Sequence, residues 1–325
     1  MAGILVPLDG STLAERALPW AAAVARATGG QIRLVEAISN PVTADFVVPL
    51  DELQAGASEY LNDQAEQIER NYGVAAMAIT SMGPAPEVIL AQASSGSVGY
   101  VAMSTHARDG LRRAVLGSVA EHVLRESPVP VYLLPAAAQG RALSAIKSIA
   151  IPLDGSALSQ AILEPAALLA RQLGATITLI RVYEPPDGAV FDEHGSMVRS
   201  VDQEVDRIEL LAAQYMGPLT RQLQRLGIEA NTRWELGHEP ADHIVRLADL
   251  AEADLIVMAT HGRSGLDRLR HGSVTEKVLR HSHIPLLAFG RIPLKSLVAA
   301  EAQAPARSVK TAKDVSLNPA VQGVV

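Results

Sequence analysis

The sequence predicts an α/β protein made of two tandem copies of one domain, each a parallel sheet with helices on both faces. Three observations predict it. Pro7-Leu8-Asp9-Gly10-Ser11 returns as Pro152-Leu153-Asp154-Gly155-Ser156. The run Gly117-Ser118-Val119-x-Glu121-x-Val123-Leu124-Arg125-x-Ser127 returns as Gly272-Ser273-Val274-x-Glu276-x-Val278-Leu279-Arg280-x-Ser282. Between these landmarks short apolar runs alternate with segments of helical spacing. That alternation implies parallel strands joined by right-handed crossovers.

The elements of the first copy follow in order. Residues 4–8 form a short apolar strand. Residues 12–28 have helical spacing and stop at Gly29-Gly30, a helix-ending signal. Residues 32–38 are the second strand. Residues 51–71 are a long polar helix closed by Gly73, and residues 74–80 the third strand. Pro86 opens a short helix to residue 94, as proline suits a first helical turn. Residues 98–103 are the fourth strand, 117–126 a helix and 129–134 the fifth strand. The second copy repeats this order over about residues 148–289. Asp9 and Asp154 are 145 positions apart, whereas His106 and His261 are 155 apart. The second copy therefore carries an insertion, placed mostly in the polar stretch 184–200 and expected as a longer loop. Residues 136–143 are a small-residue linker. The domains are expected at 1–138 and 145–292, with a flexible tail at 293–325.

Composition bounds what such a protein does. Hydrophobic residues make up 48% and aromatics 3%, so the core is built of aliphatic side chains, as buried parallel strands require. A net charge of -7 argues against general nucleic-acid binding, which needs a basic face. The absence of cysteine excludes disulfides, thiolate nucleophiles and cysteine-bound metals. The start MAGILVPLDGS lacks the pattern of a signal peptide, and no apolar run is long enough to span a bilayer. A soluble cytoplasmic protein is expected, without membrane or nucleic-acid partners.

In an open parallel sheet, ligands bind at the carboxyl ends of the strands, and three segments per copy lie there. The Pro-Leu-Asp-Gly-Ser turn offers a carboxylate able to accept from an amine or hydroxyl. Its Asp and Ser are equally good helix caps. Ala37 and Val182, at the end of the second strand, could pack on a flat base. The loop after the fourth strand runs Ala259-Thr260-His261-Gly262-Arg263-Ser264-Gly265 and continues to Gly272-Ser273-Val274. Its glycines would let backbone N–H groups approach phosphate oxygens, Gly272-Ser273 opens a helix favourable to anions, and Arg263 adds charge. Neither a P-loop nor the dinucleotide fingerprint G-x-G-x-x-G is present.

At these residues the chain resembles the universal stress protein family, whose ATP-binding members carry G-x2-G-x9-G-[ST] after strand four. The second copy reads Ala259-x2-Gly262-x9-Gly272-Ser273 and departs only at the first glycine. The first copy reads Ser104-x2-Ala107-x9-Gly117-Ser118 and lacks two. The resemblance spans about residues 3–290. It implies a Rossmann-like, adenine nucleotide alpha hydrolase-like fold with five parallel strands in the order 3-2-1-4-5, a regulatory role in stress response, and ATP, with or without magnesium, as ligand. It implies nucleotide contacts at Pro152, Leu153, Asp154, Val182, Met258, Ala259, His261, Gly262, Arg263, Gly265, Gly272, Ser273 and Val274. The corresponding first-copy residues are Pro7, Leu8, Asp9, Ala37, Met103, His106, Arg108, Gly110, Gly117, Ser118 and Val119. No metal ligand and no catalytic residue is implied.

Two other functions stay open on the residues. One is an enzyme, an ATPase or nucleotidyl transferase, with His106 or His261 as acid or base; no accompanying carboxylate or metal motif supports it. The other is a nucleotide-free interaction scaffold. The apolar last strands of the two copies are expected to pair into an internal pseudo-dimer, since exposed apolar edges invite pairing, and further homodimerisation is open. The second site is expected to bind more tightly, because Gly262 stands where the first copy has Ala107 and a left-handed backbone there would disfavour a Cβ.

Overall fold

The computed structural model describes residues 3–39, 49–107, 114–135, 138, 146–185, 190–191, 197–199, 201–260 and 273–290. The first copy runs β1 (Gly3–Pro7), α1 (Thr12–Glu15), α2 (Leu18–Thr28), β2 (Ile32–Ile38), α3 (Leu50–Tyr72), β3 (Ala76–Met82), α4 (Ala85–Ala93), β4 (Val98–Ser104), α5 (Ser118–Glu126) and β5 (Val131–Leu134). The second runs β6 (Ser148–Pro152), α6 (Ala157–Ala161), α7 (Leu163–Leu173), β7 (Thr176–Tyr183), α8 (Val201–Arg225), β8 (Ala230–Leu236), α9 (Pro240–Leu250), β9 (Leu255–Ala259), α10 (Ser273–His281) and β10 (Leu286–Phe289).

Local chemistry explains the differences from the expected elements. The helix expected at 12–28 is two helices. Pro19 has no N–H to give the Glu15 carbonyl, so the chain turns at Arg16 and Ala17, bonded to Leu13 and Ala14 by 3.3 and 3.2 Å links. In the second copy α6 and α7 part at Ile162, where Pro165 withholds the bond to Ala161. The last strands begin two residues later than expected. Pro130 and Pro285 enter the sheet as acceptors only, taking the N–H groups of Val101 and Ile256 at 3.0 and 2.9 Å. The insertion at 184–200 is not all loop, because Val190–Phe191 pairs antiparallel with Met197–Arg199. Gly29, Gly73 and Gly174 end α2, α3 and α7 in left-handed backbone, a conformation that favours glycine.

The ten principal strands form one sheet in the order β8-β7-β6-β9-β10-β5-β4-β1-β2-β3. Each copy thus contributes five parallel strands, and the two halves meet antiparallel at their last strands. There Leu286 faces Leu133, Leu287 faces Tyr132 and Ala288 faces Val131. All eight residues of β5 and β10 are buried, so the pairing closes two apolar edges at once. Two apolar layers cover the sheet. One packs α2, α3, α7 and α8 through Trp20, Leu61, Ile68, Leu169 and Met216. The other packs α4, α5, α9 and α10 through Val88, Val123, Ile244 and Val278. The copies also touch through α2 and α7, and the segment Ala114–Val115 of the first copy lies beside α10 of the second.

Candidate functional site

β1 pairs with β4 in parallel, Ile4 facing Tyr100, and β6 with β9, Ile149 facing Leu255. In each copy the turn after the first strand and the loop after the fourth therefore leave the sheet side by side at its carboxyl edge. That is where an α/β sheet presents ligands to its loops.

The aspartate turns are held by their own side chains. Asp9 Oδ1 accepts from the Ser11 N–H at 3.0 Å and the Ser11 hydroxyl at 2.5 Å, while Ser11 Oγ accepts from the Ala14 N–H at 3.2 Å. Asp154 Oδ1 accepts from the Ser156 N–H at 2.9 Å, and Ser156 Oγ from the Ser159 N–H at 3.1 Å. Both serines are helix N-caps, and both aspartates brace the turn. Gly10 and Gly155 have φ of +77° and +79°, which L side chains rarely adopt.

The remaining described residues divide into core and rim. Leu8 and Leu153 are buried in the layer beneath α2 and α7, and Pro7 and Pro152 are paired strand residues opposite Val35 and Ile180. Their side chains support the edge from within. Ala37, Met103 and Val119 come together in the opposite layer, as do Val182, Met258 and Val274. Ala37 and Val182 are only half-buried and stand one place before the end of the second strand. Ala259 is half-buried at the end of β9. The nine-residue α5 begins at Ser118 behind Gly117, with no side chain capping its first turn. Gly117 has φ of -65°, open to any residue, so only its missing Cβ distinguishes it. Ser118 is exposed. Ser273 opens the nine-residue α10 in the same place.

His106 and Ala107 form a two-residue strand paired with Val115 and Ala114. Ala107 is thus extended rather than left-handed, and the backbone penalty expected of it is not incurred. Arg108, Gly110, His261, Gly262, Arg263, Gly265 and Gly272, the linker apart from Ala138, and the tail at 293–325 lie outside the described residues.

Sequence reasoning missed several residues at this edge. Thr105 and Thr260 are buried; their N–H groups donate to Leu134 and Phe289 at 2.9 Å, and their hydroxyls point at the same carbonyls at 3.3 Å. They fasten the start of each loop to the last strand, and their repetition was the available signal. Glu36, next to Ala37, has a carboxyl Oε2 buried without a hydrogen-bond partner. Burial, and then the Asp9 charge, raise its pKa above the ordinary carboxylate range. Glu15 accepts from the Tyr60 hydroxyl at 2.8 Å and the Gln64 amide at 3.2 Å. In the second copy Arg181 Nη1 donates to the Leu153 carbonyl at 2.8 Å, and its guanidinium carbon lies 5.1 and 5.4 Å from the ring centres of Tyr183 and Tyr215.

The universal stress protein family model matches residues 2–135 and again 145–290. This chain belongs to the universal stress protein family. A universal stress protein of Methanocaldococcus jannaschii is 32% identical over 143 residues, covering 43% of this chain and 80% of its own. One from Synechocystis is 26% identical over 317 residues, covering 89% of this chain and all of its own. Among solved structures, a universal stress protein from Archaeoglobus fulgidus superposes with a TM-score of 0.67 at 23% identity, covering 89% of this chain and 98% of that one. The tandem arrangement is thus shared over nearly the whole chain. Among the described residues of this universal stress protein, no helix is long and apolar enough to cross a membrane, and no group of three His, Asp or Glu is placed to hold a metal.

Proposed function

We propose that this universal stress protein is a regulatory protein that binds an adenine nucleotide, ATP, at the carboxyl edge of its sheet, and that it acts in the stress response of the cytoplasm. The observation that carries this reading is the presence, in each copy, of three features: a braced Asp turn, a half-buried apolar residue one place before the end of the second strand, and a helix that begins at Ser118 or Ser273 after the fourth strand. Unpaired N–H groups and the dipole at a helix start favour phosphate. Ala37 or Val182 provides an apolar contact for a base, and the carboxylate of Asp9 or Asp154 is an acceptor suited to a ribose hydroxyl or an amine. The folded domains are taken as 1–138 and 145–292.

Regulation rather than turnover is favoured because the sequence places no carboxylate or metal motif with His106 or His261, as a catalytic site would require. Mass spectrometry of ligand released from the purified, denatured protein tests the reading directly. Release of ATP or another adenine nucleotide supports it. No ligand, together with no heat in an ATP titration, rejects it. Release of ADP and phosphate at catalytic rates from added Mg-ATP would move the assignment to an enzyme.

A further inference from the structure

The two copies differ in charge at one equivalent position of this edge. Pro7 faces Val35 across β1 and β2, and Pro152 faces Ile180 across β6 and β7. The next residue is Glu36 in the first copy and Arg181 in the second, one place before Ala37 and Val182. Arg181 lies under the turn: its Nη1 holds the Leu153 carbonyl, and both terminal nitrogens lie 3.3 Å from where a Cβ on Gly155 would stand. The surrounding groups differ in the same sense. Glu15 and Tyr60 of the first copy correspond to Gln160 and Tyr215 of the second, where Gln160 donates to the Tyr215 hydroxyl at 3.3 Å. Asp9, Glu15 and Glu36 thus gather around the first turn, whereas Asp154 of the second is accompanied by Arg181 and the neutral Gln160.

Resting on the nucleotide reading above, we propose that Glu36 and Arg181 set the charge of the ligand each copy accepts, so that the second copy takes the phosphate-bearing nucleotide and the first an uncharged nucleoside. Three carboxylates in a partly desolvated rim repel phosphate oxygens, yet they accept hydrogen bonds from ribose hydroxyls and an exocyclic amine. Arg181 offsets Asp154 and is held in place by two rings and a carbonyl. It acts on the ligand through the turn and its own field, as a specificity-determining residue. The device is independent of the glycine pattern, which differs between the copies in the same direction.

Calorimetric titration of the full chain with ATP and, separately, with adenosine tests this. The wild type is expected to bind a single ATP, with adenosine entering the other copy. Arg181→Gln should weaken ATP about tenfold more than adenosine, roughly 1.4 kcal/mol of selectivity, and Arg181→Lys should keep the selectivity. Glu36→Gln should add a second ATP equivalent. This variant leaves the packing volume almost unchanged and carries the test if Arg181→Gln fails to fold, which circular dichroism would show. ATP binding with selectivity unmoved in Arg181→Gln, or no added ATP in a folded Glu36→Gln, overturns the inference and leaves the nucleotide reading standing. A wild type that binds neither probe overturns both.

Discussion

Trp20 of α2 stacks on Tyr132 of β5, ring centres 3.8 Å apart and planes 12° from parallel, and Tyr132 faces Leu287 of the other copy across the sheet. Both rings are almost wholly buried. This stacked pair therefore sits on the seam between the copies, and a defect there reaches both.

Trp20→Ala should accordingly destabilise the whole chain, by about 3–5 kcal/mol for a buried aromatic truncated to alanine. The sheet is continuous through β5 and β10, so calorimetry should show one unfolding transition moved down as a unit. Two separated transitions, with only one displaced, would show that the seam does not couple the copies.

Tyr132→Phe should behave in the opposite way. The Tyr132 hydroxyl is buried without a hydrogen-bond partner, and burial holds its pKa far above the ordinary phenol range. An unsatisfied buried polar group costs about 1–3 kcal/mol. Removing the oxygen while keeping the ring should leave stability unchanged or raise it by about 1 kcal/mol in urea denaturation. A clear loss would show that the hydroxyl has a partner, such as a bound water.

Ser156→Ala should lower stability by about 1 kcal/mol through loss of the α6 cap, with Ser11→Ala similar at α1. If the turns are also the nucleotide edge, each change should weaken binding in its own copy. Thermal shift without ligand, and titration with ATP for Ser156→Ala and with adenosine for Ser11→Ala, separate the two effects.

Those caps show what was legible in the sequence. Asp-Gly-Ser is local chemistry: a glycine with positive φ, a side chain reaching two residues ahead and a cap reaching three. It reads the same on paper and in the fold, and its repetition revealed the two copies. The β5–β10 seam was legible because two short apolar strands had no other cover. The break after Glu15 was also written in Pro19, but the helical spacing on either side concealed it. Glu36 and Arg181 were not legible. A single charge in an apolar strand carries no periodic signal, and it gains meaning only when β2 or β7 lies beside the turn that precedes it. The pairing Val190–Phe191 with Met197–Arg199 was hidden too, because its strands are too short for an alternating pattern and sit among Pro185, Pro186, Gly188 and Gly195.

Glycine chemistry at the helix starts yields a prediction for binding. Gly272→Val with Ser273→Ala should abolish nucleotide binding in the second copy, since a branched side chain would stand where the backbone must approach phosphate. Gly117 has a φ open to any residue, so Gly117→Val imposes no backbone strain and should leave adenosine binding in the first copy intact, since an uncharged nucleoside brings no phosphate to that helix start. An unchanged ATP titration in the Gly272→Val, Ser273→Ala variant would place the ligand elsewhere.

Glu36 makes stability depend on pH in a defined direction. Its folded pKa is raised, by burial first and by Asp9 second, whereas the unfolded chain has the ordinary value. A raised carboxyl pKa means that the folded state holds its proton more tightly than the unfolded state does. The stabilisation is complete below the unfolded pKa and disappears as pH rises through the folded one. Once pH has risen through the folded pKa, the ionised carboxylate is therefore a burden that glutamine would not carry. Glu36→Gln should match the wild type in acid, near the ordinary carboxylate range, and exceed it at pH 7, the gap opening between the two pKa values. Asp9→Asn, which removes the second cause, should make that gap smaller and end its growth at a lower pH. Urea unfolding across pH 4–8 measures both. A gap that is constant with pH would mean that the charge of Glu36 is compensated in the folded state and that its effect is one of packing. A gap that closes as pH rises would mean that the carboxylate is stabilised there, the reverse of its surroundings at Asp9 and Glu15.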